Sequence, residues 1–227
     1  MIYCLTGSGG SGKSSLLLNM FKNKKLYRNK YHNLFYFCPL ASFLSVDKHP
    51  FQNHEKVYHE LDVPTLEGIY NELIAIKEDK YDKKKVNVYD DVSTSDEDNQ
   101  DTDKDDEIEY SCIIIDDFAD VLKDMAVQRQ LNKMIIKARH LRCGFIFTLQ
   151  SYYYFPKICR KQITYITIFK TKNVEEWNSI AKELLNYNKE DALKLYNYVF
   201  DAPYNHIDID TVENKLYKNF NTLEIEN

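Results

Sequence analysis

Residues 7–15 read Gly-Ser-Gly-Gly-Ser-Gly-Lys-Ser-Ser and fit the pattern Gly-x4-Gly-Lys-[Ser/Thr]. A short apolar run, Met1–Thr6, precedes them, and a second run with Leu16, Leu17, Leu18, Met20 and Phe21 follows. Strand, glycine-rich turn and helix in that order confine the chain to α/β folds in which a loop wraps an anion. The glycines let successive N–H groups along Gly7, Ser8, Gly9, Gly10, Ser11, Gly12, Lys13, Ser14 and Ser15 close on phosphate oxygens at the positive end of the helix. Lys13 is placed to reach the β- and γ-phosphates of ATP, and Ser14 to ligate Mg2+. A glycine-rich turn that binds nothing has no use for Lys-Ser at this offset.

With 227 residues and 44% hydrophobic content, the chain is expected to form one domain around one sizeable core. Its first apolar run gives way to glycine after six residues, so it reads as structure and fits no signal or transit peptide. No run approaches the roughly 18 apolar residues of a membrane span. Cys4, Cys38, Cys112, Cys143 and Cys159 are scattered without a Cys-x-x-Cys pair and read as reduced core residues of an intracellular protein. The histidines show no ligand spacing, and no structural zinc is expected.

The net charge of −5 is uneven. Residues 90–109 hold eleven acidic side chains and one lysine, which leaves the remainder at about +5. A mildly basic body suits a nucleic-acid partner and equally an ordinary solvated surface.

The phosphate loop is expected to lead into a helix of about Ser14–Lys25. That helix runs into Lys22, Lys24, Lys25, Arg28 and Lys30 with Tyr27 and Tyr31, a cluster suited to a nucleic-acid backbone or to a solvated helix end. Leu34–Cys38 is a second buried strand, closed by Pro39. Ala41–Val63 has a weak pattern and reads as loop with short helical pieces. Leu66, Ile69, Leu73 and Ile76 then mark a helix of about Leu66–Lys77 with Thr65 at its N-cap. From about 79 to 109 the chain is poor in large apolar residues and dense in charge, and it reads as a disordered acidic insertion.

Tyr110–Asp117 (Tyr-Ser-Cys-Ile-Ile-Ile-Asp-Asp) is an apolar strand that ends in two carboxylates, the Walker B pattern. A parallel strand would bring Asp116 beside the phosphate loop to hold Mg2+ through water, and Asp117 to polarise an attacking water. A long helix is expected over Val121–Leu141, ending in Arg139-His140-Leu141-Arg142. Either Arg139 or Arg142, expected near the ligand-bearing edge, suits an arginine finger for a neighbouring subunit or a cationic helix end.

Gly144–Leu149 is a further buried strand, and Gln150 at its tip is placed to sense the γ-phosphate. Tyr152 to Lys161 is aromatic and basic, suited to line a nucleic-acid channel or to pack between subunits. Ile163–Lys170 reads as a fifth strand. Helices are expected over Val174–Leu185, opened by Asn173, and Lys189–Phe200. His206–Val212 and Lys215–Phe220 form a terminal hairpin.

The ordered set of Gly-Ser-Gly-Gly-Ser-Gly-Lys-Ser at 7–14, Ile-Ile-Ile-Asp-Asp at 113–117, Ala-Arg-His at 138–140, Thr-Leu-Gln-Ser at 148–151 and Pro156-x-x-x-Arg160 resembles the poxvirus-type DNA-packaging ATPases of large DNA viruses, in the FtsK/HerA superfamily. The likeness covers nearly the whole chain except 41–109. It implies a RecA-like P-loop ATPase with a mainly parallel sheet flanked by helices and a C-terminal β-hairpin. The implied protein forms a homo-oligomeric ring, pentamer or hexamer, at a capsid or portal vertex and pumps double-stranded DNA into a preformed capsid. The implied setting is the host cytoplasmic virus factory, or the virion. The likeness carries the Walker A roles onto Lys13 and Ser14, the Walker B roles onto Asp116 and Asp117, and the sensor role onto Gln150. It leaves the finger among Arg139, Arg142 and Arg160. Asp117 stands where many hydrolytic motors carry the longer Glu. Two other readings are a nucleoside or nucleotide kinase, disfavoured by the paired acids and by the lack of an arginine-rich lid, and a non-hydrolysing nucleotide-gated assembly scaffold.

Overall fold

Five apolar runs, each too short for a buried helix and each bounded by a turn, pair side by side as parallel strands in the computed structural model. The structure describes residues 1–90 and 109–223. The strands are β1 (Ile2–Thr6), β2 (Asn33–Phe37), β4 (Ser111–Asp116), β5 (Cys143–Leu149) and β6 (Tyr165–Phe169), with a two-residue parallel edge strand β3 (Val57–Tyr58). β7 (His206–Asp210), β8 (Lys215–Lys218) and β9 (Asn221–Thr222) continue the sheet in antiparallel fashion. The order across the nine strands is β3-β2-β4-β5-β1-β6-β7-β8-β9.

Alternation along the strands splits the apolar residues between two faces. One face carries Ile113, Ile115, Phe145, Phe147, Ile166 and Ile207. It is covered by α3 (Val63–Asp90), α4 (Met125–Ile136), α6 (Val174–Ile180) and α7 (Lys189–Val199). The other carries Tyr3, Leu5, Tyr36, Cys112, Ile114 and Ile146 under α1 (Lys13–Lys22). The short helices α2 (Leu40–Leu44) and α5 (Lys157–Arg160) complete the set. All five cysteines are free and buried, and burial pushes the Cys38 and Cys143 thiols up to about 12.

Several expected boundaries move. α1 stops at Lys22, where Asn23 turns to extended backbone, so Lys24 to Asn29 lie in turns. α3 begins at Val63 because Asp62, rather than Thr65, supplies the cap, its Oδ1 accepting from the Thr65 N–H at 2.8 Å. The same helix runs on to Asp90, thirteen residues past the expected end and into the segment read as disordered. The rest of that segment, 91–108, lies outside the described residues. The single helix expected over Val121–Leu141 is two pieces: a 3-10 turn at Val121–Lys123, then α4, whose first turn donates to the Asp124 carboxylate. Asn173 caps α6 as expected. Among the described residues no helix is long and apolar enough to cross a membrane.

Candidate active site

α1 opens with Gly12 in a left-handed conformation (φ 104°) and no side-chain cap. By contrast, α4, α6 and α7 all have their first amides capped by Asp or Asn. The first amides of α1 are therefore left to an external anion, and the glycine-rich turn curls over them. The turn is fixed to the sheet by the Gly7 N–H donating to the Leu149 carbonyl at 3.1 Å. Lys13, 8% exposed, donates to the carbonyls of Gly7 at 2.8 Å and Ser8 at 2.9 Å. Burial lowers its pKa, while Asp117 and Asp116 act to raise it. Ser11 Oγ is buried without a hydrogen-bond partner among the described residues.

β4 delivers Asp116 by the alternation that places Cys112 and Ile114 on the α1 face. Its Oδ1 accepts from Ser14 Oγ at 3.0 Å and from Thr148 Oγ1, directly opposite on β5. Its Oδ2 accepts from the Tyr36 hydroxyl at 2.9 Å. Burial raises the Asp116 pKa, and the bonds from Thr148, Tyr36 and Ser14 pull it back. The Tyr36 ring is fully buried, and burial pushes its own pKa upward. The oxygen therefore stays a donor to the carboxylate. Behind it stands His49, whose Nε2 lies 3.3 Å from the Tyr36 oxygen while Nδ1 accepts from the Phe51 amide at 3.2 Å.

A continued strand would send Asp117 to the opposite face. Instead Asp117 takes φ 63°, a left-handed geometry that Asp tolerates better than most residues, and its amide donates to Thr148 Oγ1 at 3.1 Å. Its Oδ1 accepts from Gln150 Nε2 at 2.9 Å and its Oδ2 from Ser42 Oγ at 3.0 Å. Thr148 thus holds both acids, one by donation and one by acceptance.

The structure brings together Lys13, Ser14, Asp116, Asp117 and Gln150 around the phosphate loop. It does not bring the arginines there. Arg139 and Arg142 are exposed in the turns before β5, where the Ser111 N–H donates to the Arg142 carbonyl at 3.0 Å. That is the entry edge of the parallel strands, and the phosphate loop sits at the exit edge, so the expected position near the ligand is corrected. Arg160 is committed inside its own subunit. It donates to the carbonyls of Phe155 at 3.1 Å and Tyr153 at 3.3 Å, lies over the Tyr152 ring at 4.6 Å, and faces Glu183 at 3.6 Å. The segment read as a channel lining is partly core, because Tyr152, Phe155 and Cys159 are fully buried; Tyr153, Lys157, Ile158 and Lys161 remain exposed. Tyr27 and Tyr31 likewise pack against Phe21 at 5.4 and 6.2 Å, while the lysines around them stay exposed.

Three supporting residues were given no role at the site by the sequence: Tyr36, Ser42 and Thr148. The first looked like one more strand aromatic, and the second lay in the weakly patterned segment. A legible signal existed only for Thr148, a lone hydroxyl within an otherwise apolar strand, two residues before Gln150.

The donor set suits a magnesium nucleotide: uncapped helix amides, an ammonium, and a hydroxyl and carboxylate that converge as hard oxygen ligands. The family model described as Poxvirus A32 protein matches residues 2–223. The chain belongs to that family. It is an ATP-hydrolysing P-loop enzyme with a RecA-like fold. Among solved structures, it is similar to B204, the DNA-packaging ATPase from Sulfolobus Turreted Icosahedral Virus, at 19% identity and TM-score 0.62, covering 99% of this chain and 98% of that one. The genome packaging NTPase B204 from Sulfolobus turreted icosahedral virus 2, in complex with ATP-gammaS, matches at 19% identity and TM-score 0.58 over the same shares. EssC (ATPases 2 and 3) from Geobacillus thermodenitrificans matches at 15% identity and TM-score 0.62, covering 99% of this chain and 40% of that one. A search of the curated proteins finds no match.

Proposed function

We propose that this chain is a viral genome-packaging motor, which hydrolyses ATP to drive double-stranded DNA into a preformed capsid as a pentameric or hexameric ring docked on a capsid or portal vertex. The observation that carries the reading is the convergence of Lys13, the Ser14–Asp116 pair and the Asp117–Gln150 pair on one uncapped helix end. Lys13 leaves the carbonyls of Gly7 and Ser8 to bind the β- and γ-phosphates. Ser14 and Asp116 would hold Mg2+, which supplies charge neutralisation on the phosphates when bound. Asp117 takes a hydrogen bond from the attacking water and turns it toward the γ-phosphorus, with Gln150 steering the same carboxylate.

Gln150 is also the first residue of a braced connection. The Ser151 hydroxyl and the Tyr152 amide both donate to Glu176 Oε1 at 2.6 Å, and the Thr171 hydroxyl donates to Oε2 at 2.9 Å. A change at Gln150 is thereby passed to the 152–161 segment, whose exposed Tyr153, Lys157 and Lys161 suit a nucleic-acid backbone. Of the three arginines, Arg139 and Arg142 are the exposed ones and suit service to a neighbouring copy. The test is steady-state ATP hydrolysis with and without double-stranded DNA across a salt series. Stimulation that fades as salt rises supports the motor. No stimulation at any salt contradicts it, and phosphate transfer to a nucleoside without net hydrolysis would point to a kinase.

A further inference from the structure

The sheet gives the bound triphosphate a direction. Asp116, Asp117 and Gln150 come from β4 and β5, on one side of β1, while β6 and β7 lie on the other. A triphosphate whose γ end meets Asp117 therefore runs across the loop and carries its nucleoside toward β6 and β7. The turn before β7 presents Tyr204 there, 71% exposed and in a left-handed backbone conformation (φ 65°). Its ring borders the phosphate loop: a Cβ built on Gly12 would lie 3.4 Å from Tyr204 Cδ1, and 3.6 Å from Phe169 Cε1.

The turn is rigidly mounted. His206 Nδ1 lies 3.4 Å from the Tyr204 carbonyl, and the His206 ring packs against Phe169 at 5.0 Å and Phe220 at 4.9 Å. Asn205 donates to Asp201 at 2.7 Å and accepts from Asn219 at 2.8 Å. An exposed aromatic held this way beside an anion-binding loop has little to contribute to the core, and its free face matches the π-face of a purine.

We propose that Tyr204 is the stacking platform for the base of the bound nucleoside triphosphate. The inference rests on the phosphate-loop reading and extends it to the other end of the ligand. The test compares the affinities of Mg-ATP and inorganic tripolyphosphate for the full chain and two variants. Tyr204→Asn removes the ring with a residue at ease in the left-handed region, and Tyr204→Phe keeps it. The expected result is about tenfold weaker ATP binding for Tyr204→Asn, tripolyphosphate binding unchanged, and Tyr204→Phe like the wild type for both. Undiminished ATP binding by Tyr204→Asn overturns the proposal, as does an equal loss for both ligands, which would make Tyr204 a support of the loop alone. If the wild type binds neither ligand, the phosphate-loop reading falls and this one with it.

Discussion

Tyr36→Phe removes one oxygen and leaves a fully buried ring where it was. That oxygen donates to the buried Asp116 carboxylate at 2.9 Å and is 3.3 Å from His49 Nε2, so its loss orphans groups on two sides. A hydrogen bond to a charged group contributes about 1.5–3 kcal/mol, and in a chain of this length each 1 kcal/mol moves Tm by about 2–4 °C. Tm of the ligand-free protein should therefore fall by about 4–8 °C for a loss near 2 kcal/mol. Tyr3→Phe is the matched control. Tyr3 is 1% exposed, and its hydroxyl bonds the neutral Thr167 hydroxyl at 2.8 Å, so it should cost about half as much. The defect also has a pH signature. Asp116 already has a raised pKa from burial, and losing a donor raises it further. Protonation removes the need for that donor, so the Tyr36→Phe defect should shrink as pH falls. Thermal unfolding of the wild type and both variants across pH reads this directly. A Tyr36→Phe loss no greater than that of Tyr3→Phe, at every pH, would mean that the Tyr36 hydroxyl does not support a charged Asp116.

Three further outcomes are expected. His49 is buried and its pKa is lowered from 6.5 to about 4, first by burial and then by Lys22. The unfolded chain therefore takes up this proton before the native one does, and the stability held above pH 6.5 drains away toward pH 4. Denaturant titrations at pH 7 and 5 should show that slope, and His49→Asn should flatten it. Arg160→Ala should destabilise the isolated chain by about 2 kcal/mol, because it strips the Phe155 and Tyr153 carbonyls of their donor; an unchanged Tm would return Arg160 to the list of fingers. Gly7→Ala puts a Cβ 2.7 Å from Phe169 Cβ and should abolish nucleotide binding, whereas Gly68→Ala, at an exposed position of α3 with nothing within 4 Å, should bind normally.

The parallel core was legible because its strands are continuous apolar runs and its first turn is an anion loop; β1, β2, β4, β5 and β6 fall within a residue or two of the reading. The positions of the two acids and Gln150 were legible because a parallel sheet delivers strand tips to one edge, and that of Lys13 because the loop motif sets it at the start of α1. What escaped reading depends on cross-strand register and on faces. Tyr36 belongs to the site because it pairs with Ile114 and shares a face with Asp116. Ser42 reaches Asp117 from a five-residue helix with no buried residue to announce it. The arginines were misplaced for a related reason: α4 ends at Ile136, and the turns that follow lead to the entry of β5. Arg160 looked available because spacing alone does not reveal that its donors are taken by the carbonyls of its own loop.

Asp117 is the acid proposed to activate water beside a separately built phosphate cradle. Asparagine fits the same place, keeping one acceptor for Gln150 and a group that the Ser42 hydroxyl can accept from. Single-turnover hydrolysis by Asp117→Asn, measured alongside its Mg-ATP affinity, is the direct test. Affinity should stay within about threefold of wild type, since the cradle is untouched, and hydrolysis should slow by about 100-fold or more. Hydrolysis near the wild-type rate, or affinity lost in step with it, would contradict the claim.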